Sequence, residues 1–428
     1  MNHELSLDDN LPDTPAARGG FYQAVILRAL APMARGFLEL ELPDGARKKF
    51  GDPAAEIRAH VRIRRPRFFQ RCVLFGDIGF GESYVDGDWD TDSVERVIAW
   101  FILNQENSPA QSGARAKSAI VGLLRGWNRV QHLLRPNSMR TSRRNIADHY
   151  DLGNEFYQRW LDPTMTYSSA LFSSPEESLE AAQIAKYEAL CQKLRLRESD
   201  RVLEIGSGWG GFACHAAKRY GCHITTVTIS QAQFDFARER MEREGVADRV
   251  EIRLQDYREI EGRFDKIVSI EMMEALGDRF LETFFAKIHA LLAPDGLAGF
   301  QYITVPDSRH AELKRGVDWI QKHIFPGSLL LSIGRVNEAL QRTGNLFLHD
   351  LRDMGESYAR TLRSWRGAFH EEIAGVRALG FDERFVRKWD YYLSYCEAAF
   401  TMRNISVVQA IYTRPNNRRL AEKAVPSA

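Results

Sequence analysis

Ten consecutive residues, Val202-Leu203-Glu204-Ile205-Gly206-Ser207-Gly208-Trp209-Gly210-Gly211, constrain this chain more than any other stretch. Apolar residues lead into a glutamate and then a cluster of glycines. That is the pattern of a buried parallel strand running into a tight turn and a helix. Glycine lets a backbone come close to a ligand, and the first turn of a helix offers N–H groups without partners. The stretch therefore reads as a cradle for a nucleotide or nucleoside.

Two spacings overlap in it. Gly206, Gly208 and Gly211 fit the G-x-G-x-x-G of dinucleotide sites, and Glu204, Gly206, Gly208 and Gly210 fit the E-x-G-x-G-x-G of S-adenosylmethionine methyltransferases. A turn needs glycine in any case, so the neighbouring strands must decide. A dinucleotide site places an acid about 20 residues on, at the end of the next strand. That strand, His223–Thr228, runs into Ile229-Ser230 with no acid. The third strand, Val250–Leu254, runs into Gln255-Asp256-Tyr257, and an acid there suits an adenine amine. A fourth strand spans Phe264–Ile270. Strands alternating with helices imply a right-handed α/β sheet.

The chain has 428 residues, room for about two or three domains. Its net charge is +1, so no global charge argument for nucleic acid applies. Five scattered cysteines without C-x-x-C argue for a reducing compartment and against a zinc site. The N-terminus is polar and acidic, unlike a signal peptide, and no apolar run reaches the ~18 residues of a transmembrane helix. The expectation is a cytoplasmic protein that can still touch a membrane.

Residues 1–20 read as disordered. A small domain over 21–106 follows. In it Phe37–Leu42 alternates as a strand, Pro43-Asp44-Gly45 turns a hairpin, Gly76–Asp90 reads as loop, and a helix starts at Ser93 behind an Asp92 or Thr91 cap. Residues 107–145 form a connector in which Arg115, Lys117, Arg125, Arg129, Arg135, Arg140, Arg143 and Arg144 interleave with Ile120, Leu124, Trp127, Val130 and Leu134. Such a basic amphipathic segment suits an anionic membrane surface, although a solvated helix face or plain linker has the same pattern. From 146 to 428 the catalytic domain is expected. It continues with a helix over Phe280–Leu292, a Pro294-Asp295-Gly296 turn and a strand over Leu297–Val305. Residues 306–400, rich in Trp, Tyr and Phe, read as an insertion capping the site, or as ordinary core, before a last strand at Ser406–Tyr412.

These motifs, in this order, make the chain resemble the cyclopropane-fatty-acyl-phospholipid synthases and the related mycolic acid methyltransferases. His149-Tyr150-Asp151-Leu152-Gly153-Asn154 is similar to the family's H-Y-D-L-[GS]-N/D opening, and Leu161–Ala170 to L-D-P-x-x-x-Y-S-[CS]-A. Val227–Gln233, Glu271–Gly277 and His323–Gly327 resemble T-[IL]-S-x-x-Q, E-M-x-E-x-[VL]-G and Y-I-F-P-G. Gly81–Tyr84 and Gly87-Asp88-Trp89 resemble the family's small N-terminal domain, expected to dock lipid or to join two copies as a homodimer. The implied fold class is α/β: a Rossmann-like S-adenosylmethionine-dependent methyltransferase sheet with a helical, aromatic-rich cap and a small N-terminal domain.

The resemblance also implies a reaction. The alkene of an unsaturated acyl chain in a membrane phospholipid attacks the methyl of S-adenosylmethionine. A base then takes a proton from the new methyl as a cyclopropane closes. S-adenosylmethionine is expected on Glu204, Gly206, Gly208 and Gly210, with Tyr167, Ser168, Thr228, Gln233, Asp256 and Tyr257 around it. The base in the family is a bound bicarbonate. The positions that hold it fall on Glu274, Tyr358 and the backbone of Ile303, with Ser169 and Gln301 where the best-known members have Cys and His. Both replacements can hydrogen-bond an anion. A cation that shifts hydride before losing its proton would instead give a methyl-branched or methylene chain.

Water would quench such a cation, which calls for a dry tunnel. Each CH₂ exposed to water costs about 0.8 kcal/mol, so the lipid must pass directly from the bilayer into the enzyme. The chain is therefore expected to sit peripherally on the inner face of the membrane, with no nucleic acid as partner. Two rival classes are a methyltransferase for a small-molecule acceptor, with a smaller and more polar cap, and a lipid-binding protein with a retired fold. The intact Glu204, Gly206, Gly208, Asp256 and Glu274 speak against the latter.

Overall fold

The computed structural model describes residues 16–105 and 152–420. Residues 1–15, the basic connector over 107–145, and His149, Tyr150 and Asp151 lie outside the described residues. The chain divides into two compact units, one built from the N-terminal part to residue 128 together with 381–402, the other from 129–380 and 403–428.

In the first unit, Phe37–Glu41 (β1), Arg47–Gly51 (β2), Arg58–Ile63 (β3) and Trp89–Asp90 (β4) form a sheet in the order β2-β1-β3-β4. The β1–β2 hairpin turns where Pro43-Asp44-Gly45 was expected to turn it, with Gly45 N–H donating to Leu42 O. Three readings differ. Residues 16–20 belong to a helix, Ala16–Leu30, rather than to a disordered tail. Arg67–Val85 is helical through most of the stretch read as loop. Its glycines misled: Gly76 kinks the helix at φ 60°, and a Cβ on Gly79 would meet the Arg71 carbonyl. The helix Val94–Leu103 is capped by the hydroxyl of Ser93, which accepts from Arg96 N–H, not by Asp92 or Thr91.

The helix Glu383–Thr401, which the sequence groups with the cap, belongs to this first unit. Tyr84 donates to Asp390 Oδ2 at 2.6 Å, and Arg387 donates to the carbonyls of Tyr84 and Trp89. Its tryptophan and tyrosines thus complete a core begun about 300 residues earlier.

The second unit holds a seven-stranded sheet of Arg201–Ile205 (β5), His223–Thr228 (β6), Val250–Leu254 (β7), Phe264–Ile270 (β8), Leu292–Thr304 (β9), Phe347–Asp353 (β10) and Ser406–Thr413 (β11). The order is β10-β11-β9-β8-β5-β6-β7. From β7 to β9 the pairing is parallel, and β11 and β10 close the edge antiparallel. β10 is absent from the sequence reading because it is an edge strand with mostly exposed residues, which leaves no alternation to see. Pro294-Asp295-Gly296 is a bulge within β9 rather than a turn before it: Phe264 pairs Leu292, yet Lys266 pairs Leu297.

Helices cover both faces. On one, Phe284, Phe285 and Ile288 of the helix Asp278–Leu291 pack against Ile267, Phe300 and Tyr412. On the other, Leu190 of the helix Leu179–Lys193, Leu194 just after it and Phe212 of the helix Gly211–Tyr220 pack against Val202, Val268 and Ile411. Chain order runs outward from β5 to β6 and β7 on one side, and to β8 and β9 on the other. A crevice for ligand opens at such a reversal, outside the carboxyl ends of β5 and β8.

Candidate functional site: a glycine turn beside a carboxylate pair

The turn after β5 is built as the glycines require. Gly206, Gly208 and Gly210 have φ of 94°, 49° and 81°, backbone that other residues adopt only with strain. A Cβ on Gly208 would meet no atom within 4 Å, so open space lies beside it. The helix Gly211–Tyr220 follows, its N-terminus directed by the turn. This backbone, with its open side, fits the nucleoside and amino-acid ends of S-adenosylmethionine.

The expected cofactor residues differ in what holds them. Glu204 is spent inside the sheet, where Oε2 accepts from the Thr226 hydroxyl at 2.6 Å, and burial pushes its carboxyl up to about 8. The Asp256 carboxylate accepts from Arg258 at the main-chain N, Nε and Nη2, at 3.0, 2.8 and 2.6 Å. Thr228 donates to Gln233 Oε1 at 3.1 Å. The Tyr257 hydroxyl is buried with no hydrogen-bond partner among the described residues. Tyr167 lies among the rings of Tyr157, Trp160 and Trp365 at 5.3–5.6 Å. Ser168 Oγ accepts from Lys186 Nζ at 2.7 Å.

Lys186 is a residue the sequence reading misses. It is fully buried and lies over the Tyr187 ring at 4.4 Å. Burial lowers its ammonium to about 7, against the pull of Glu271, Asp162 and Glu204. An ordinary-looking helix lysine carries no sequence signal of this.

The second half of the site lies at the ends of β8 and β9. Glu274 is buried, Oε1 accepts from Ile303 N–H at 2.5 Å, and Oε2 has no partner among the described residues. Burial raises its carboxyl to about 8, with the charge of Glu271 adding to the rise. Glu271 is the other missed residue, although it opens the Glu271–Gly277 motif. Its Oε1 accepts from Ser169 N–H and from Gln301 Nε2, both at 2.8 Å, and its Oε2 accepts from the Tyr358 hydroxyl at 2.7 Å. Burial raises this carboxyl as well, while those hydrogen bonds oppose the rise. Two acids three residues apart at a strand's carboxyl end were the available signal.

The geometry corrects the anion site. Tyr358 donates to Glu271, not Glu274. The Ser169 hydroxyl donates to Ala170 O, so only the Ser169 backbone N–H faces the site. Gln301, oriented by Gln409 Nε2 donating to its Oε1 at 3.1 Å, already gives its own amide to Glu271. The donors expected to hold bicarbonate are occupied by a carboxylate of the chain. Bicarbonate does not fit this arrangement.

Three comparisons bear on the chain. The family model described as mycolic acid cyclopropane synthetase matches residues 137–410. The tuberculostearic acid methyltransferase UfaA1 of Mycobacterium tuberculosis is 37% identical over 385 residues, 87% of this chain and 86% of that protein. The cyclopropane-fatty-acyl-phospholipid synthase of Escherichia coli K12 is 35% identical over 361 residues, 83% of this chain and 88% of that protein. Among solved structures, the cyclopropane synthase MmaA2 of Mycobacterium tuberculosis superposes with a TM-score of 0.59 at 29% identity, over 64% of this chain and 98% of that one. The mycolic acid cyclopropane synthase CmaA1, solved with SAH and CTAB, gives 0.59 at 28% identity, over 64% and 98%.

Proposed function

The chain belongs to the mycolic acid cyclopropane synthetase family of S-adenosylmethionine-dependent enzymes that cyclopropanate or methylate lipid acyl chains, and from that premise we propose that it acts on the double bond of an unsaturated acyl chain in a membrane phospholipid. The observation that carries the reading is the pair of carboxylates, Glu271 and Glu274, beside the glycine turn. A methyl transferred to an alkene leaves a cation on the chain. An anion about 4 Å from it contributes several kcal/mol at an effective dielectric of ~20.

Each group then has a task. The backbone at Gly206 and Gly208 receives the methyl donor, which supplies the electrophilic methyl. Tyr167, Trp160 and Trp365 wall the space with rings and exclude water. Ile303 N–H and Tyr358 OH fix the two carboxylates in place. A ring product is the first reading. A methylene or methyl-branched product is the second, favoured by the similarity to a tuberculostearic acid methyltransferase.

The membrane side of the reading rests on sequence and on the cost of moving a long acyl chain through water. Among the described residues no helix is long and apolar enough to cross a membrane. Arg125, Arg129, Arg140, Arg143 and Arg144 would meet anionic lipid, each contributing about 1 kcal/mol. Replacing them with Gln should weaken binding to anionic vesicles and leave S-adenosylmethionine affinity unchanged; unaltered vesicle binding would move docking elsewhere.

Expression in a bacterial host making unsaturated phospholipids, followed by lipid mass spectrometry, tests the whole. The expected result is a gain of one CH₂ in unsaturated chains, with derivatisation separating ring from branch. Unchanged lipids beside a methylated small molecule would overturn the reading.

A further inference from the structure

We propose that the Glu271 carboxylate stands in place of an external anion, so that this chain carries its own base and works without bicarbonate. The inference rests on the acyl-chain reading above. Its first support is the donor set. Ser169 N–H, Gln301 Nε2 and Tyr358 OH come from a loop, β9 and the helix Gly355–Glu371, and all three converge on one side chain. Groups from three separate elements aimed at one point define an anion position, and Glu271 fills it.

The second support is the backbone. Glu271 has φ 48°, a conformation unfavourable for a residue with a Cβ. Its N–H nevertheless donates to Gln301 O at 2.7 Å, fixing the residue as the first beyond β8. Strain of this kind persists where the surroundings hold it, and it gathers at working sites. Here it turns the side chain into the donors.

The third support is Glu274, nine-tenths buried with Oε2 unpartnered among the described residues. A separate bicarbonate would add a third acidic group beside two carboxylates, of which Glu271 already raises the carboxyl of Glu274. Glu271 is half-buried as a residue, and its Oε2 accepts one hydrogen bond where its Oε1 accepts two.

The step balances within the chain and its substrates. The alkene's electron pair forms a C–C bond to the methyl as the S–CH₃ bond breaks and S-adenosylhomocysteine leaves. A C–H bond of the new methyl then breaks, its electron pair closes the three-membered ring, and the proton goes to Glu271. Loss of a proton to the same carboxylate after a hydride shift gives the methylene product.

The test uses the full-length enzyme with vesicles of unsaturated phosphatidylglycerol in buffer stripped of carbon dioxide, with and without added bicarbonate. Wild-type turnover should be indifferent to bicarbonate. Glu271→Gly, which suits this backbone and should fold, should lose about 100-fold or more, as for loss of a general base. It should regain activity severalfold with bicarbonate, while Glu271→Gln should not. In parallel, carbon-13 spectra of labelled bicarbonate should show saturable binding to Glu271→Gly and none to the wild type. Wild-type activity that needs bicarbonate, saturable binding to the wild type, or a fully active Glu271→Gly without bicarbonate would each overturn the inference. If the wild type modifies no acyl chain, the functional reading fails, and the binding arm still decides whose carboxylate fills the position.

Discussion

The glycine turn and the carboxylate pair lie at the carboxyl ends of neighbouring strands, β5 and β8, yet they are made in opposite ways. The turn is backbone from contiguous residues, with three positive φ values in five positions. The carboxylate site draws Ser169, Glu271, Gln301, Ile303 and Tyr358 from four distant stretches. The turn's chemistry is fixed by what glycine can do. The carboxylate site depends on which acid the donors choose, and that choice is tertiary. The two should therefore fail differently when damaged, the turn in binding and the carboxylates in chemistry.

The largest effect is expected from Glu274→Gln. It removes an ionisable carboxyl, raised by burial to about 8, whose charged form would stabilise the developing cation, a change on the order of 10²–10³-fold in kcat at pH 8 and above. Affinity for S-adenosylmethionine, measured by calorimetry, should stay within about twofold, since Glu274 bonds Ile303 rather than the turn. Comparable losses in kcat and affinity would mean that the two regions are one site. Gly208→Val is the converse. A β-branched residue at φ 49° fills the open side of the cradle, so S-adenosylmethionine affinity should fall by about 100-fold. An affinity near wild type would take the turn out of the binding site.

Tyr358→Phe should fall between structure and chemistry. It deletes one donor to Glu271, and hydrogen bonds to charged groups contribute about 1.5–3 kcal/mol. A loss of about 10–100-fold in kcat is expected, with S-adenosylmethionine affinity retained. The pH–rate profile should move too, because that hydrogen bond holds the Glu271 carboxyl down. A variant with reduced kcat and an unmoved profile would leave Tyr358 a packing residue only.

The same contrast explains what could be read from the chain. β5 to β9 and β11 were legible because buried parallel strands and alternating helices leave strong apolar runs. The Gly206–Gly210 turn was legible because only glycine takes those angles. Glu271 does not stand out beside Glu274 because nothing local shows that Tyr358, 87 positions on, donates a hydrogen bond to it. The helix Glu383–Thr401 reads as part of the cap because its aromatic stripe marks a buried face without saying against what. Tyr84 and Trp89 supply that partner from the far end of the chain.

The smallest effect concerns stability and separates two buried acids that look alike. Glu204 and Glu274 both have carboxyls raised from 4.5 to about 8, chiefly by burial. A raised carboxyl favours the folded state fully below the unfolded value, 4.5, and that contribution is lost as pH rises through the folded value, about 8. Melting temperatures followed from pH 5 to 9 should thus fall less for Glu274→Gln than for the wild type, by a few degrees. Glu204→Gln should show the same relief. The two differ in cause: the rise at Glu274 includes the charge of Glu271, whereas Glu204 is opposed by Thr226 and Lys186 and owes nothing to Glu271. In a Glu271→Gln background, the relief from Glu274→Gln should therefore shrink while the relief from Glu204→Gln persists. Equal shrinkage would mean that the glycine turn and the carboxylate pair titrate as a single network, through Lys186, and that the separation drawn between them stops at the backbone.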